Sequence, residues 1–261
     1  MFERCPKCGT SPLPVVRSPM ATCPQCGVIL AKAMQAARLG SRARAARRSA
    51  GADDADGAAR GALARLLWHV PGRVDATRWW LRVALLAFFA IWGLRLIALD
   101  HREGEIATSF LHGVLTVFHE AGHVIFGIFG EWLGVLGGTL GQLLMPALLC
   151  AALLTRQRDP FGAAIGLWFV GVSLLDIAPY MYDALHPQLM LLTGTTGEDG
   201  PHDWIHLFSS LGWLHKAQAI GTATHRLGAL VVLLALAWGA SVLVLQKRRV
   251  AGDVLNEEGS A

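Results

Sequence analysis

The stretch LGALVVLLALAWGASVLVLQ, residues 227–246, carries no charged residue over its whole length. About 20 predominantly apolar residues in a helix are enough to span the hydrocarbon core of a bilayer. The next three residues, 247–249, are Lys, Arg and Arg, a cluster typical of the cytoplasmic side of a membrane helix. The 261-residue chain is 53% hydrophobic and only 16% charged, whereas soluble domains are about 25% charged. The sequence therefore predicts an integral membrane protein.

Further apolar runs cover residues 83–99, 107–129, 132–154 and 161–180, and 204–221 is consistent with a sixth span or a re-entrant segment. We therefore expect an all-α polytopic membrane domain with about five to six transmembrane helices. The start of the chain lacks a signal-peptide pattern, so we expect a cytoplasmic N-terminus, in a membrane such as the bacterial inner membrane. In that orientation 83–99 runs outward, and both 107–129 and 161–180 run inward.

Two matched CPxCG sequences, at residues 5–9 and 23–27, begin the chain. Thiolates at this spacing hold one tetrahedral Zn²⁺. The predicted ligands of this structural zinc are Cys5, Cys8, Cys23 and Cys26. A disulfide is disfavoured in the cytoplasm, and no βαβ pattern of a redox CxxC surrounds either pair. We expect a small β-type zinc ribbon over residues 1–30, with the metal providing most of its folding energy.

An Ala- and Arg-rich linker is predicted over 31–66, followed by the membrane domain over 67–250 and a polar tail over 251–261. The basic residues of the linker are Arg38, Arg42, Arg44, Arg47, Arg48, Arg60 and Arg65. A basic block beside membrane spans favours binding to anionic lipid over binding to nucleic acid. The zinc ribbon is predicted to meet a cytoplasmic partner.

The apolar run 107–129 contains the sequence His119-Glu120-Ala121-Gly122-His123. In a helix, HExxH places both histidines on one face, where their imidazoles can reach one Zn²⁺. Glu120 would then lie beside the metal, where it can take a proton from water. A structural polar contact between helices is the alternative. His112 falls near the same face, either supporting the site or simply packed there.

A catalytic zinc needs a third protein ligand and an open position. Asp176 is the leading candidate because it is the only residue between Phe161 and Tyr182 that is charged at neutral pH, and an unpaired acid in a membrane is costly. Asp183, His202 and Asp203 remain alternatives for this role.

HEAGH in an apolar helix, then glycine-rich residues 130–142, then Leu175-Asp176 in a later helix, resembles the site-2-protease-type intramembrane zinc metalloproteases. The chain would be a divergent member, because Ile177 follows Asp176 where that family usually has glycine. The resemblance implies zinc ligands His119, His123 and Asp176, with Glu120 as general base.

The resemblance also implies that the chain is a zinc metallopeptidase that hydrolyses a peptide bond within or beside the bilayer. Its substrate would be a membrane protein or a membrane-associated peptide. The main alternative is a catalytically inactive zinc-binding scaffold or pseudoprotease. A metal transporter is a third possibility, but the sequence lacks the internal repeats that many transporters show.

Overall fold

The computed structural model describes residues 4–11, 20–36, 61–72, 74–192 and 194–258, the last eight by their backbone only. The chain divides into two compact units, Met1–Ala64 and Arg65–Ala261. Most linker arginines lie outside the described residues, so their predicted binding to lipid stays a prediction. These are Arg38, Arg42, Arg44, Arg47, Arg48 and Arg60.

In the first unit each CPxCG sequence forms a tight turn. The backbone N–H of Gly9 donates to the Cys5 carbonyl, and that of Gly27 to the Cys23 carbonyl, each at 2.9 Å. Both glycines have φ near +70°, a conformation that only glycine adopts freely. A helix over 30–36 follows. Residues 4–11 and 20–36 contain one isolated β-bridge and no strand, so the predicted β-type ribbon is not observed in them.

The second unit is helical, as predicted, with no strand in its described residues. Its helices are α1 (Ala76–Ala98), α2 (Phe110–Gly127), α3 (Glu131–Thr155), α4 (Pro160–Asp183), α5 (Asp203–Ser210) and α6 (Ala217–Glu258). Two 3-10 turns, Glu105–Thr108 and Leu214–Lys216, precede α2 and α6.

Local sequence signals account for several helix starts. The Asp75 side chain accepts from the Arg78 backbone N–H at the start of α1, and the Ser109 side chain accepts from that of Leu111 in α2. Acidic and hydroxyl side chains at this position satisfy N–H groups that the helix leaves unpaired. Pro160 occupies the first turn of α4, where no N–H is needed.

Four helices are long and apolar enough to cross a membrane, as expected for a membrane protein: Ala76–Ala98, Glu131–Thr155, Pro160–Asp183 and Leu214–Val250. The expected five to six are not found in the described part of the chain. The HEAGH helix, α2, is not among the four, since its histidines and glutamate lower its hydropathy. The candidate span 204–221 divides into the eight-residue α5, a 3-10 turn and the start of α6.

Helix α4 forms the centre of the bundle, and most of its residues are buried. The fully buried Trp168 ring packs edge-on against Phe89 of α1. Gly171 and Gly228 let α4 and α6 approach closely, since a Cβ at Gly228 would lie 2.8 Å from the Gly171 carbonyl oxygen. Small residues allow this kind of packing between membrane helices.

Residues that lie opposite each other show the direction of each helix. α1 and α4 run in the same direction, whereas α3 and α6 run against α4. α2 runs against α3, and therefore in the same direction as α4. The pairs between α1 and α4 are Arg82–Asp159 and Phe89–Trp168, and those between α4 and α6 are Phe161–Val242 and Tyr182–Gly221. The pairs between α3 and α4 are Gln142–Ser173 and Cys150–Gly166, and those between α2 and α3 are Phe118–Gly141 and Gly122–Gly137.

The connection 99–109 turns back into the bundle between α1 and α2. Ile106 is buried in the same core cluster as Leu96 and Leu111, and Gly104 lies against Leu189. α1 and α2 consequently run in the same direction, which differs from the alternating directions expected from the sequence.

Candidate metal site

Glycines bring α2 and α3 into direct backbone contact. A Cβ added at Gly122 would overlap the carbonyl group of Gly137, and one added at Gly141 would lie 2.5 Å from the carbonyl oxygen of Phe118. A larger residue would push the helices apart. The close approach holds the histidines of α2 against the backbone of α3.

His119 and His123 lie one turn apart, and each is held through Nδ1. Nδ1 of His119 lies 3.2 Å from Oε1 of Gln142, and Nδ1 of His123 lies 2.9 Å from the carbonyl oxygen of Gly134. Both acceptors require a proton on Nδ1, which leaves the Nε2 lone pair free. Histidines that bind metals are commonly oriented by such a partner. Both Nε2 atoms lie in the space left by Gly138, where a Cβ would overlap them.

The carboxylate of Asp203, the first residue of α5, meets the two histidines. Its Oδ2 lies 2.9 Å from Nε2 of His119 and 3.3 Å from Nε2 of His123. Ligand atoms around a tetrahedral zinc are about 3.3 Å apart, given metal–ligand bonds of about 2.0–2.1 Å. Two imidazoles and one carboxylate are a common ligand set for catalytic zinc. The three residues therefore fit this metal.

Glu120 lies beside this set and lines the same cavity. One of its carboxylate oxygens lies within 4.8 Å of a ring nitrogen of both His119 and His123. From this position a carboxylate can accept a proton from a water molecule held between the histidines and the cavity.

Asp176, the third ligand implied by the resemblance, is bonded to other groups. Its Oδ1 lies 2.9 Å from Nδ1 of His112, and its Oδ2 accepts from Nε2 of Gln142 at 2.7 Å. A chain of hydrogen bonds thus links His112 through Asp176 and Gln142 to His119. Asp176 as a zinc ligand stays a prediction, and the distances favour Asp203.

Gln142 is positioned by a local break in α3. Pro146 has no N–H and cannot pair with the carbonyl four residues earlier, which belongs to Gln142. The Ser173 hydroxyl of α4 donates to that carbonyl instead, at 3.2 Å. The buried Gln142 side chain is therefore held between the two helices, with its amide between Asp176 and His119.

Asp183 and His202, the other candidates for the third ligand, secure the connection that carries Asp203. The Asp183 carboxylate accepts the backbone N–H groups of Gln188 and Leu189 at 2.8 and 3.1 Å. Its Oδ2 lies 3.5 Å from Nε2 of His202, whose side chain is fully buried. Both residues hold the chain around Asp203 and contribute no atom to the histidine pair.

A cavity of about 520 Å³ opens beside His119, His123 and Asp203. Polar residues of α2, Gln142, Asp176, Tyr180 and Asp203 line the cavity. Its apolar lining residues include Ile106, Ala107, Ile177, Pro179, Leu189, Met190, Leu191 and Leu192. The cavity can accommodate an extended apolar segment next to His119, Glu120 and His123.

The four cysteines of the first unit form a second potential metal site. Their sulfur atoms lie within 4.8 Å of one another, with 3.9 Å between Cys5 and Cys26 and 3.7 Å between Cys8 and Cys23. Tetrahedral zinc with bonds of about 2.3 Å separates its sulfurs by about 3.8 Å. The Thr10 hydroxyl lowers the pKa of the Cys8 thiol to about 6, which favours the thiolate that metals bind.

No protein-family model, curated protein or solved structure matches this chain. The resemblance to site-2-type proteases therefore rests on the motif residues, and the geometry of the site carries the functional argument.

The sequence alone did not single out Gln142 and Tyr180. Gln142 is an amide in an apolar run, just four residues before Pro146, and this spacing was the available signal. Tyr180 follows Pro179, lines the cavity, and accepts the backbone N–H of Asp203 at 3.0 Å.

Proposed function

We propose that this chain is a zinc-dependent endopeptidase that hydrolyses peptide bonds within or beside the bilayer. The convergence of His119, His123 and Asp203 beside Glu120, in one cavity that apolar residues also line, carries the proposal. A site with a purely structural role does not need a carboxylate such as Glu120 next to its ligands. The alternative of an inactive scaffold is therefore less well supported.

The ligands in this proposal are His119, His123 and Asp203, in place of the Asp176 suggested by the resemblance. Zinc held there would polarise the scissile carbonyl and lower the pKa of a water molecule. Glu120 takes a proton from the attacking water and delivers it to the leaving amine. Gln142 and the Gly134 carbonyl keep the two imidazoles in the tautomer that binds metal.

The apolar residues that line the cavity support a substrate class. Met190 and Leu192 of the connection 184–202 line the cavity and are about 70% exposed. We infer that they contact an apolar segment of a membrane protein or membrane-associated peptide. The segment must be extended, because a helix keeps its peptide groups in internal hydrogen bonds.

Basic and acidic residues lie at opposite ends of the helical unit, and this distribution supports a particular orientation of the unit in the membrane. At the end where α1 begins, the charged residues are mostly basic: Arg78, Arg82, Arg156, Arg158, Lys247, Arg248 and Arg249. At the other end, which holds the metal site, they are mostly acidic: Asp100, Glu103, Glu105, Glu131, Glu198, Asp199 and Asp203. By the positive-inside rule, we infer that the end of the helical unit with the start of α1 and residues 247–249 faces the cytoplasm, and that the metal site lies near the opposite surface. Four spans satisfy this arrangement, whereas five would leave the basic residues 247–249 outside.

Cysteine labelling tests the topology. Glu198→Cys lies in the connection before α5, and Gln157→Cys, the matched control, lies between α3 and α4. Both are made in a chain whose five native cysteines are replaced by serine. With a membrane-impermeant maleimide on intact bacterial cells that express the protein, we expect labelling of Glu198→Cys alone. Labelling of Gln157→Cys alone would reverse the proposed orientation.

Cleavage of fluorescein-labelled casein, an unstructured protein, tests the activity. The full chain in liposomes should cleave it, lose activity with a chelator and regain activity with Zn²⁺. The Glu120→Gln protein should keep its zinc and lose at least about 100-fold in rate, as general-base catalysis contributes about 10²–10⁴-fold. Equal cleavage by the two proteins would refute the proposal.

For the first unit we propose a structural zinc on Cys5, Cys8, Cys23 and Cys26, because four thiolates leave no open position. A zinc ribbon of this kind would present a surface to a cytoplasmic partner, as predicted from the sequence. Loss of partner capture by the full chain after Cys5→Ser would support that role, and unchanged capture would refute it.

A further inference from the structure

Tyr180 lies in the last turn but one of α4, directly after Pro179, and lines the metal cavity. Its hydroxyl oxygen accepts the backbone N–H of Asp203 at 3.0 Å. Its ring packs against the buried His202 with centroids 4.2 Å apart, and it lies 6.2 Å from the ring of His119. These contacts place the phenol next to the proposed metal ligands.

The proton of this hydroxyl is available to a ligand. A phenol can accept one hydrogen bond and donate another, and Tyr180 accepts through its bond with Asp203. Among residues 74–192 and 194–258 the structure shows no acceptor for its proton. The phenol is therefore held by its acceptor side, while its donor side is free to face the cavity.

We propose that Tyr180 is a catalytic residue that donates a hydrogen bond to the carbonyl oxygen of the scissile peptide bond. The inference rests on the proposed endopeptidase function. When water attacks the carbonyl carbon, the carbonyl oxygen gains negative charge, and a fixed donor stabilises that charge. The carbon–nitrogen bond then breaks, Glu120 transfers the proton of the water to the amine, and Tyr180 keeps its own proton throughout.

Of the other donors that line the cavity, the Thr116 hydroxyl and the Gln142 amide already donate to the His112 carbonyl and to Asp176. His112 also lines the cavity, but its position favours Tyr180. His112 lies two helical turns before His119, which is about 10 Å along the axis. One of its ring nitrogens is already bonded to Asp176. Tyr180, in contrast, is bonded directly to the backbone of Asp203, whose carboxylate meets both motif histidines.

Tyr180→Phe removes the hydroxyl and keeps the ring, and Tyr182→Phe is the matched control. Tyr182 is the only other tyrosine of the chain. It lies two residues later in α4 and lines a separate groove with Arg102 and Arg226.

The test measures ligand binding to the zinc-loaded full chain by titration calorimetry. One probe is a phosphinic tetraleucine peptide, whose anionic oxygens replace the reacting carbonyl, and the other is its uncharged ketomethylene counterpart. A hydrogen bond to a charged group is worth a factor of about ten or more in affinity. Tyr180→Phe should therefore weaken phosphinate binding at least about tenfold and ketomethylene binding less than about threefold. Tyr182→Phe should change neither.

Zinc content, measured in parallel, separates the possible failures. Unchanged phosphinate binding by Tyr180→Phe, with zinc retained, would overturn the role of Tyr180 and leave the proposed function intact. Equal weakening of both probes, with loss of zinc, would show that the hydroxyl only positions Asp203 and would also overturn it. Absence of zinc at His119 in the wild-type chain would overturn the proposed function together with this inference.

Discussion

Replacing Asp203 by asparagine removes the carboxylate whose Oδ2 lies 2.9 and 3.3 Å from the Nε2 atoms of the motif histidines. The site would retain two imidazole ligands and lose its only anionic one. Changing an outer partner of a metal ligand typically lowers metal affinity by about 10–100-fold, and loss of a direct ligand should exceed that range. We therefore expect the zinc dissociation constant of Asp203→Asn to rise more than about 100-fold.

Asp176→Asn is the matched control, since it makes the same chemical change in the same cavity. Asp176 contacts Gln142, and Gln142 contacts the ligand His119. Asp176 therefore lies one hydrogen bond further from the metal than Gln142, the outer partner of His119. We expect its zinc dissociation constant to rise by less than about tenfold. Competition with a chromogenic chelator, in chains whose cysteine site is removed by Cys5→Ser and Cys8→Ser, measures both constants. Loss of zinc from Asp176→Asn with retention by Asp203→Asn would refute the proposed ligand set.

Three further predictions test individual parts of the structure. Gly138→Ala should lower zinc occupancy while the protein stays folded, because the alanine Cβ would overlap both Nε2 atoms of the motif histidines. Circular dichroism would show the fold and metal analysis the zinc occupancy, and full occupancy would contradict the prediction. Ser173→Ala should destabilise the bundle by about 1–3 kcal/mol, because it leaves the buried Gln142 carbonyl unpaired; an unchanged thermal midpoint would argue against this. In chelator-treated protein at pH 7, Cys8 should react with iodoacetamide before the buried Cys5, because the Cys8 pKa of about 6 makes this thiol mostly thiolate. Peptide mass spectrometry measures the order of the two reactions, and the opposite order would contradict the prediction.

The histidine pair and the cysteine cluster could be predicted from the sequence because each depends on local spacing. His119 and His123 are four residues apart in a helix, so their side chains share a face wherever that helix lies. The same holds for two CPxCG turns, whose backbone brings each pair of sulfurs together. Both groups are indeed close enough to hold a metal ion.

The proposed third ligand, Asp203, was only one of four candidates in the sequence, because its position depends on a long connection. Asp203 follows the residues 184–202, whose path is set by non-local bonds such as those of Asp183 to the backbone of Leu189. The rule that a buried acid needs a partner drew attention to Asp176, which is buried and bonded to two side chains. The same rule could not predict whether the partner of Asp176 is a metal ion or a side chain, and the structure shows two side chains, His112 and Gln142.

The number and direction of the spans also depended on non-local structure. A hydropathy profile treats 107–129 as one apolar run, but the structure divides it into the turn Glu105–Thr108 and an 18-residue helix, α2. The profile also cannot show that Ile106 returns to the core beside Leu96. The charge at each end of the unit becomes interpretable only when these directions are known.

Zinc-edge X-ray absorption on the full chain carrying Cys5→Ser and Cys8→Ser tests the central claim most directly. With the cysteine site removed, we expect one zinc per chain, surrounded by nitrogen and oxygen at about 2.0–2.1 Å with the scattering pattern of two imidazoles. His119→Ala in the same background should abolish the signal. Absence of zinc, or a sulfur shell at about 2.3 Å, would contradict a metal site formed by His119, His123 and Asp203.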